Sequence, residues 1–407
     1  MIELYSLDDS VRGLIADVIG RPCALAAALL SLGACAHVGE HWIATWAASP
    51  QEADPPLQIS GQTVRQVMRI SMGGPRFRVR LSNLYGTKAI EVGAAHLALH
   101  GDGAAIVPGS DRTLSFGGAP SVSIPPGALV VSDPVALAVP SLGDLAVSLY
   151  LPGTVSATTE HSSAIQTTYV SSAGDFSGAE TLIGPSTTQS WYFIAGIEVD
   201  GPANAHAVVA LGDSVTDGQK STRDASHRWP NFLAARLQGA SRAVVNAGIA
   251  GNRILDDLVG ANALARLDRD LAQPGAKYVI VLEGINDIGF HEAGDEVTAD
   301  QIIAGHRQII LRARGLGLKV FGATLIPFEG TTFSGFYTEA GEKKRQIINE
   351  WIRSSGAYDG VIDFDRAARD PAHPTRLLPA FDSGDHCHPN DAGYKAMANA
   401  IDLALFD

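Results

Sequence analysis

The chain has 407 residues, 46% of them hydrophobic and 18% charged, an ordinary composition for a folded protein and a length that suits two cores. Its formal net charge of −13 argues against nucleic acid or an anionic membrane surface as the main partner. Three cysteines, Cys23, Cys35 and Cys387, are too few for a disulfide framework.

In chain order, residues 1–36 read first, as an export signal. Cys23 to Ala36 is an uncharged stretch rich in Ala and Leu, preceded by Arg21. It is short for a bilayer span and matches the apolar core of a signal peptide. Ala34-Cys35-Ala36 suits an ordinary signal peptidase, with a mature start near His37. Leu32-Gly33-Ala34-Cys35 equally resembles a bacterial lipobox, which would put a lipid anchor on Cys35 as the one membrane contact. Both routes stay open, and either implies export to the periplasm, cell envelope or medium. Residues 1–20 are acidic for a signal, with Glu3, Asp8, Asp9 and Asp17 against Arg12 alone. The expected translation start therefore lies further in, near Val18.

Residues 37–202 form the second segment. Short alternating runs such as Thr63–Ile70, Arg76–Leu81, Leu145–Leu151 and Trp191–Val199 are separated by Gly, Pro, Ser and Asn. Alternation of period two with frequent turns predicts antiparallel strands with one wet face. An all-β sandwich of jelly-roll type is expected. Trp42, Trp46 and Trp191 are read as strand or core aromatics ahead of a sugar-stacking face.

Residues 203–407 follow a different pattern. Strand-like runs at 207–211, 243–246, 278–283, 319–326 and 360–365 alternate with helical runs at 229–238, 254–271, 299–314, 338–354 and 390–405. Apolar strands without polar alternation, interleaved with helices, predict a parallel sheet covered on both faces.

The chemistry gathers in three short segments. Gly212-Asp213-Ser214 and Gly284-Ile285-Asn286-Asp287 each follow an apolar run, and Asp385-His386-Cys387-His388-Pro389 precedes the last helix. In an open α/β sheet ligands bind beyond the carboxyl ends of the strands, so distant strand ends can meet. A serine hydroxyl at 214 needs a base to take its proton. His388 suits that role, because the positive end of the following helix favours neutral imidazole. Asp385, three residues earlier, is placed to orient the ring and stabilise its charged form. Charge on a tetrahedral intermediate calls for preorganised donors: the Asn286 amide and the N–H groups of Ser214 and Gly251.

Taken singly, these signals are weak. Gly-Asp-Ser alone is equally good as a turn or helix cap, and His386 and His388 as surface histidines. Asp385, His386 and His388 also have the residue types of a metal site, but no second Cys/His cluster or His-Glu-x-x-His accompanies them. Cys387 is read as a small packing residue, Asp213 and Asp287 as holders of loop backbone. Arg228, Trp229 and Arg253 are candidates for pocket lining or for ordinary packing.

In combination and in this order, Gly212-Asp213-Ser214, Gly251 after Asn246, Gly284-x-Asn286-Asp287 and Asp385-x-x-His388-Pro389 resemble the SGNH (GDSL) hydrolase superfamily over residues 205–407. The resemblance implies a flavodoxin-like α/β/α domain with Ser214, Asp385 and His388 as catalytic triad. It implies Ser214, Gly251 and Asn286 as oxyanion hole, and no metal or organic cofactor. The β-rich half, including Trp42-Ile43-Ala44-Thr45-Trp46, resembles the two-domain bacterial subset grouped with a xylan-associated arylesterase/acylhydrolase. The expectation is an exported carboxylic-ester hydrolase acting through an acyl-enzyme on short acyl esters of small molecules or polysaccharides, O-acetylated carbohydrates among them. Its rival is a carbohydrate-binding or surface protein with a vestigial hydrolase domain, against which the presence of all four blocks weighs. The sequence carries no signal for oligomeric state.

Overall fold

The alternating half of the described chain becomes two large antiparallel sheets and a small two-stranded one, Ile90–Val92 with Val122–Ile124. In the computed structural model residues 40–290 and 296–407 are described; the export-signal reading, with Cys23 and Cys35, lies outside them. One sheet runs Trp42–Ala47, Ile194–Asp200, Gly74–Ser82, Leu129–Val131, with Val135–Val139 also on Gly74–Ser82. The other large sheet centres on two long strands, Gln51–Arg69 and Asp144–His161, paired from Asp144↔Arg69 to Glu160↔Gln51. Alternation explains which side faces inward. Phe77, Val79 and Leu81 are fully buried. Arg76 and Arg78, alternating with them, reach Asp200 and Glu198 on the neighbouring strand at 2.7 and 2.5 Å.

The second half is a five-stranded parallel sheet, numbered here by itself: β1 (His206–Gly212), β2 (Arg242–Gly248), β3 (Ala276–Leu282), β4 (Lys319–Ala323) and β5 (Gly360–Ile362). Its order is β2-β1-β3-β4-β5, and every pairing is parallel. This is the flavodoxin-like order, in which the chain switches direction between β1 and β3 and leaves a crevice at their carboxyl ends. Val208 to Leu211 and Tyr278 to Val281 are all fully buried, as a sheet covered on both faces requires. The helices are α1 (Ser214–Asp217), α2 (Trp229–Arg236), α3 (Ala263–Leu271), α4 (Ile285–Gly289), α5 (Ala299–Gly315), α6 (Glu339–Ser354), α7 (Phe364–Ala368) and α8 (Asp391–Asn399). α2, α7 and α8 pack together, and α3, α5 and α6 form a separate row.

Two predicted helices come out shorter. The run from 254 becomes helical only at Ala263, because other groups claim its backbone. Asp287 accepts the Ile254 and Leu255 N–H at 2.8 and 3.0 Å. Asn252 donates to the carbonyls of Val259 and Ala261, and Asn262 then caps α3. The last run ends at Asn399, followed by a 3₁₀ turn, Leu403–Phe406, capped by Asp402.

Glu40–Asp407 is one compact unit, so the sheets are in direct contact. The Ala44 N–H donates to the Pro274 carbonyl at 2.9 Å, and the Val244 N–H on β2 donates to Ser71 Oγ at 3.0 Å.

Candidate active site

Ser214 opens α1 directly after β1, and it is 7% exposed. The turn is made by Asp213, whose carboxylate oxygen accepts the Val215 N–H at 2.9 Å, and by Gly212, beside which a Cβ would lie 2.4 Å from the Leu282 carbonyl. At the other end of the chain, Asp385 folds its turn around itself. Its Oδ1 accepts the N–H of Cys387 at 3.0 Å and of His388 at 2.8 Å, and the Ser383 hydroxyl at 3.1 Å. Its Oδ2 lies 2.8 Å from His388 Nδ1. His388 Nε2 lies 2.9 Å from Ser214 Oγ. An unbroken Asp385–His388–Ser214 chain therefore links segments 174 residues apart.

Burial by itself would raise the Asp385 carboxyl. Hydrogen bonds from the His388 ring and from the two N–H groups overcome it and hold the carboxyl well below the usual range. It is an ionised acceptor for Nδ1–H, and in the neutral ring with that proton Nε2 is the acceptor facing the serine. Pro389 and Asn390 continue into α8, where Asn390 caps the Gly393 N–H at 3.0 Å.

The three expected donors follow adjacent strands: Ser214 after β1, Gly251 after β2, Asn286 after β3. Hydrogen bonds tie their loops together. The Ile249 N–H donates to the Gly212 carbonyl at 3.0 Å, and Asn286 Nδ2 to the Asn252 carbonyl at 2.9 Å. Among the described residues neither the Ser214 nor the Gly251 N–H has an acceptor, and Asn286 keeps one amide hydrogen uncommitted. Gly251 has φ +79°, where a Cβ is strained.

His386 diverges from the pair. Its Nδ1 bonds Asp382, on the exposed side of the turn. His386 therefore faces away from the Asp385–His388 pair, and no group of three or more His, Cys, Asp or Glu among the described residues is arranged to hold a metal ion. Cys387 is buried in the main core, and burial pushes its thiol far up, so it stays a neutral packing group. Trp46 and Trp191 meet edge to face at 4.9 Å in the β-rich core, and Trp229 is fully buried against Phe364. Arg253 donates to the carbonyls of Phe290 and Asp257.

Four residues around the site escaped the sequence reading. Arg266, fully buried on α3, donates to the carbonyls of Ala247 and Gly212, to Asn252 Oδ1 and to Asp270. A charged pair at i,i+4 on the apolar stripe Ala263, Leu267, Leu271 was a signal for it. Glu283, at the end of β3, is fully buried with Arg266 3.8 Å away, and burial beside Asp213 raises it well above the ordinary carboxyl range. Phe333, 40% exposed, sets its ring edge-on to His388 with centroids 5.9 Å apart. His161, from the β-rich region, bonds Asp217 on α1. Neither Phe333 nor His161 carries a local motif.

The five-stranded parallel sheet carries a Ser–His–Asp chain at its switch point, an arrangement chemically suited to hydrolysis. Residues 210–396 match the model of the GDSL-like Lipase/Acylhydrolase family. The family is one of acylhydrolases and esterases. Similar solved structures include a carbohydrate acetylesterase family member from Sinorhizobium meliloti, at 18% identity and TM-score 0.38, covering 48% of this chain and 94% of that one. An inhibitor-bound aryl esterase of M. smegmatis aligns at 22% identity and TM-score 0.38 over 48% and 96%. A GDSL-like lipase from Bacteroides thetaiotaomicron aligns at 18% identity and TM-score 0.39 over 49% and 87%. No curated protein matches the chain.

Proposed function

We propose that the protein is a serine carboxylic-ester hydrolase working through an acyl-enzyme. The observation that carries this is the 2.9 Å contact between His388 Nε2 and Ser214 Oγ, with Asp385 behind the ring. In this reading Ser214 Oγ attacks the ester carbonyl carbon while Nε2 takes its proton. The carbonyl π electrons move onto oxygen, where the N–H groups of Ser214 and Gly251 and the Asn286 amide receive the charge. Collapse breaks the bond to the alcohol oxygen, which leaves with the proton from His388. Water then attacks the acyl group with His388 again as base, and Ser214 recovers its proton. Asp385 stays ionised throughout and stabilises the imidazolium.

The substrates proposed are short acyl esters, O-acetylated carbohydrates among them. That choice rests on the resemblance of the β-rich half to xylan-associated acylhydrolases and on the export reading of residues 1–36. The two larger antiparallel sheets are proposed to be a sandwich, and residues 37–202 and 203–407 its domain and the hydrolase domain. Export remains part of the proposal, to be checked by N-terminal sequencing of the mature protein.

A fluorophosphonate probe should label Ser214, and Ser214→Ala should lose labelling and lose about 10³-fold or more in kcat on chromogenic esters. Retention of turnover by Ser214→Ala would falsify the mechanism. A folded wild type that neither labels nor cleaves any of a panel of acylated sugars and graded esters would favour a binding protein.

A further inference from the structure

His161 ends the strand Asp144–His161 and is 3% exposed. Its Nε2 lies 3.0 Å from Asp217 Oδ1 and its Nδ1 3.0 Å from the Ser49 carbonyl oxygen. A carbonyl oxygen and a carboxylate both only accept, so both ring nitrogens must carry a proton to make the two bonds. The ring is an imidazolium paired with Asp217 inside the molecule. Burial opposes that charge, but Asp217 and the Ser49 carbonyl outweigh burial, and the imidazole is held above its ordinary value.

Asp217 is the last residue of α1, the helix that Ser214 opens. Its other oxygen accepts the Ala250 N–H at 3.0 Å, one residue before Gly251. A single carboxylate thus joins the serine helix, the loop that carries the Gly251 N–H and the β-rich region. A parallel link runs beside it. Ser49 Oγ donates to Asp270 at 2.8 Å and accepts from Arg266 at 3.2 Å. Arg266 in turn holds the Asn252 side chain and the Gly212 carbonyl.

We propose that His161 is a positioning residue for ester hydrolysis: its imidazolium fixes the Asp217 carboxylate, and through it the place of the Gly251 N–H relative to Ser214. The inference rests on the reading of Ser214 and Gly251 given above. The charged groups facing His161 are Asp217 from α1, Arg228 ahead of α2, which opposes its charge, and Glu160 on its own strand. Arg69 lines the same small cavity of about 30 Å³. When rising pH strips the second proton, one of the two acceptors loses its donor, and a buried acceptor without a donor is destabilised. The loop is then free to shift, and turnover falls on the alkaline side.

The test uses the full chain as wild type, His161→Gln, His161→Ala and Ser214→Ala. Turnover of p-nitrophenyl acetate is measured per active site titrated with a fluorophosphonate, with circular dichroism alongside. Gln can donate to one of the two acceptors but carries no charge. Both His161 variants should lose about tenfold or more in kcat with KM changed less than about twofold, since misplacing a donor weakens transition-state binding alone. The alkaline fall in wild-type kcat should be missing from His161→Gln. A folded His161→Gln enzyme with wild-type kcat overturns the proposal. Where neither variant folds, a wild-type kcat that stays flat up to the pH of unfolding overturns it equally. Turnover retained by Ser214→Ala marks a different failure, that of the site reading itself, whatever the His161 variants do.

Discussion

Two aspartates beside the candidate nucleophile are driven in opposite directions, Asp213 upward by burial and Asp385 downward by donors that outweigh burial. Asp385 gathers N–H donors and an imidazole, so its carboxyl stays ionised well below the ordinary range. Asp213 has one N–H donor, an unpartnered Oδ2 and two acidic neighbours, Asp287 and Asp217. Burial, with those neighbours adding to it, raises its carboxyl to about 7. The consequences for stability have opposite signs. Asp385 contributes stability above its unfolded value and loses it only as pH falls through its depressed folded value. Asp213 takes up its proton in the native state first, so it costs stability as pH climbs from about 4 to about 7. Asp213→Asn keeps the oxygen that caps Val215 and removes the ionisation. Its unfolding free energy, followed in urea at a series of pH values, should match wild type near pH 4. It should exceed wild type at pH 8 by at most about 4 kcal/mol, the free-energy equivalent of titrating near 7 in place of the ordinary value. A variant with the same pH slope as wild type would show that Asp213 titrates in the native state as it does in the unfolded chain. Asp287, raised to about 6 by burial, acts with the same sign and leaves a residual slope.

At the level of elements, the site depends on backbone lying on backbone. A Cβ on Gly248, the last residue of β2, would sit 2.4 Å from the Asp217 nitrogen. The serine helix therefore packs on a strand end with no room for a side chain. Gly248→Ala should push α1 outward and cost about 1–3 kcal/mol, as overpacking does. The rate of fluorophosphonate labelling should fall with it. Unchanged stability and labelling would mean that α1 is not held by this contact. The same contacts explain what was legible beforehand. The motifs at Ser214 and Asn286 could be read because an apolar run followed by a glycine-containing turn fixes a side chain at a strand end, and that at His388 because Asp-x-x-His-Pro stands directly before the last helix. That the sheet is parallel followed from unalternated runs between helices. The start of α3 could not be read, because Asp287 and Asn252, from other loops, take the backbone groups between Ile254 and Ala261. His161 was illegible for the same reason. Its partner Asp217 is 56 residues away and belongs to a different sheet's edge, so no spacing rule connects them.

At the largest scale, Glu40–Asp407 is tied together more tightly than two segments on a linker would be. Ala44 and Ala47, from the first strand, belong to the core beneath the parallel sheet, and Ala205, Ala207 and Ala243 belong to the core of the β-rich region. Ile43 lies where a Cβ on Gly275 would meet it at 2.3 Å. Polar groups cross the same boundary at Ser49, His161 and Ser71. Removing the β-rich region would leave Arg266, Asp270 and Asp217 without those partners and expose apolar surface on β1 and β2. Buried charges that lose a partner are costly, typically about 3–5 kcal/mol, so neither half is expected to survive the other's unfolding. The chain should therefore melt in one cooperative calorimetric transition, with calorimetric and van't Hoff enthalpies in agreement. Loss of probe labelling at Ser214 should coincide with loss of the β-sheet signal. Two resolved transitions, or a fragment starting near Gly201 that folds and labels like the full chain, would mean that the shared cores and the Ser49 and His161 bonds contribute little to holding the site.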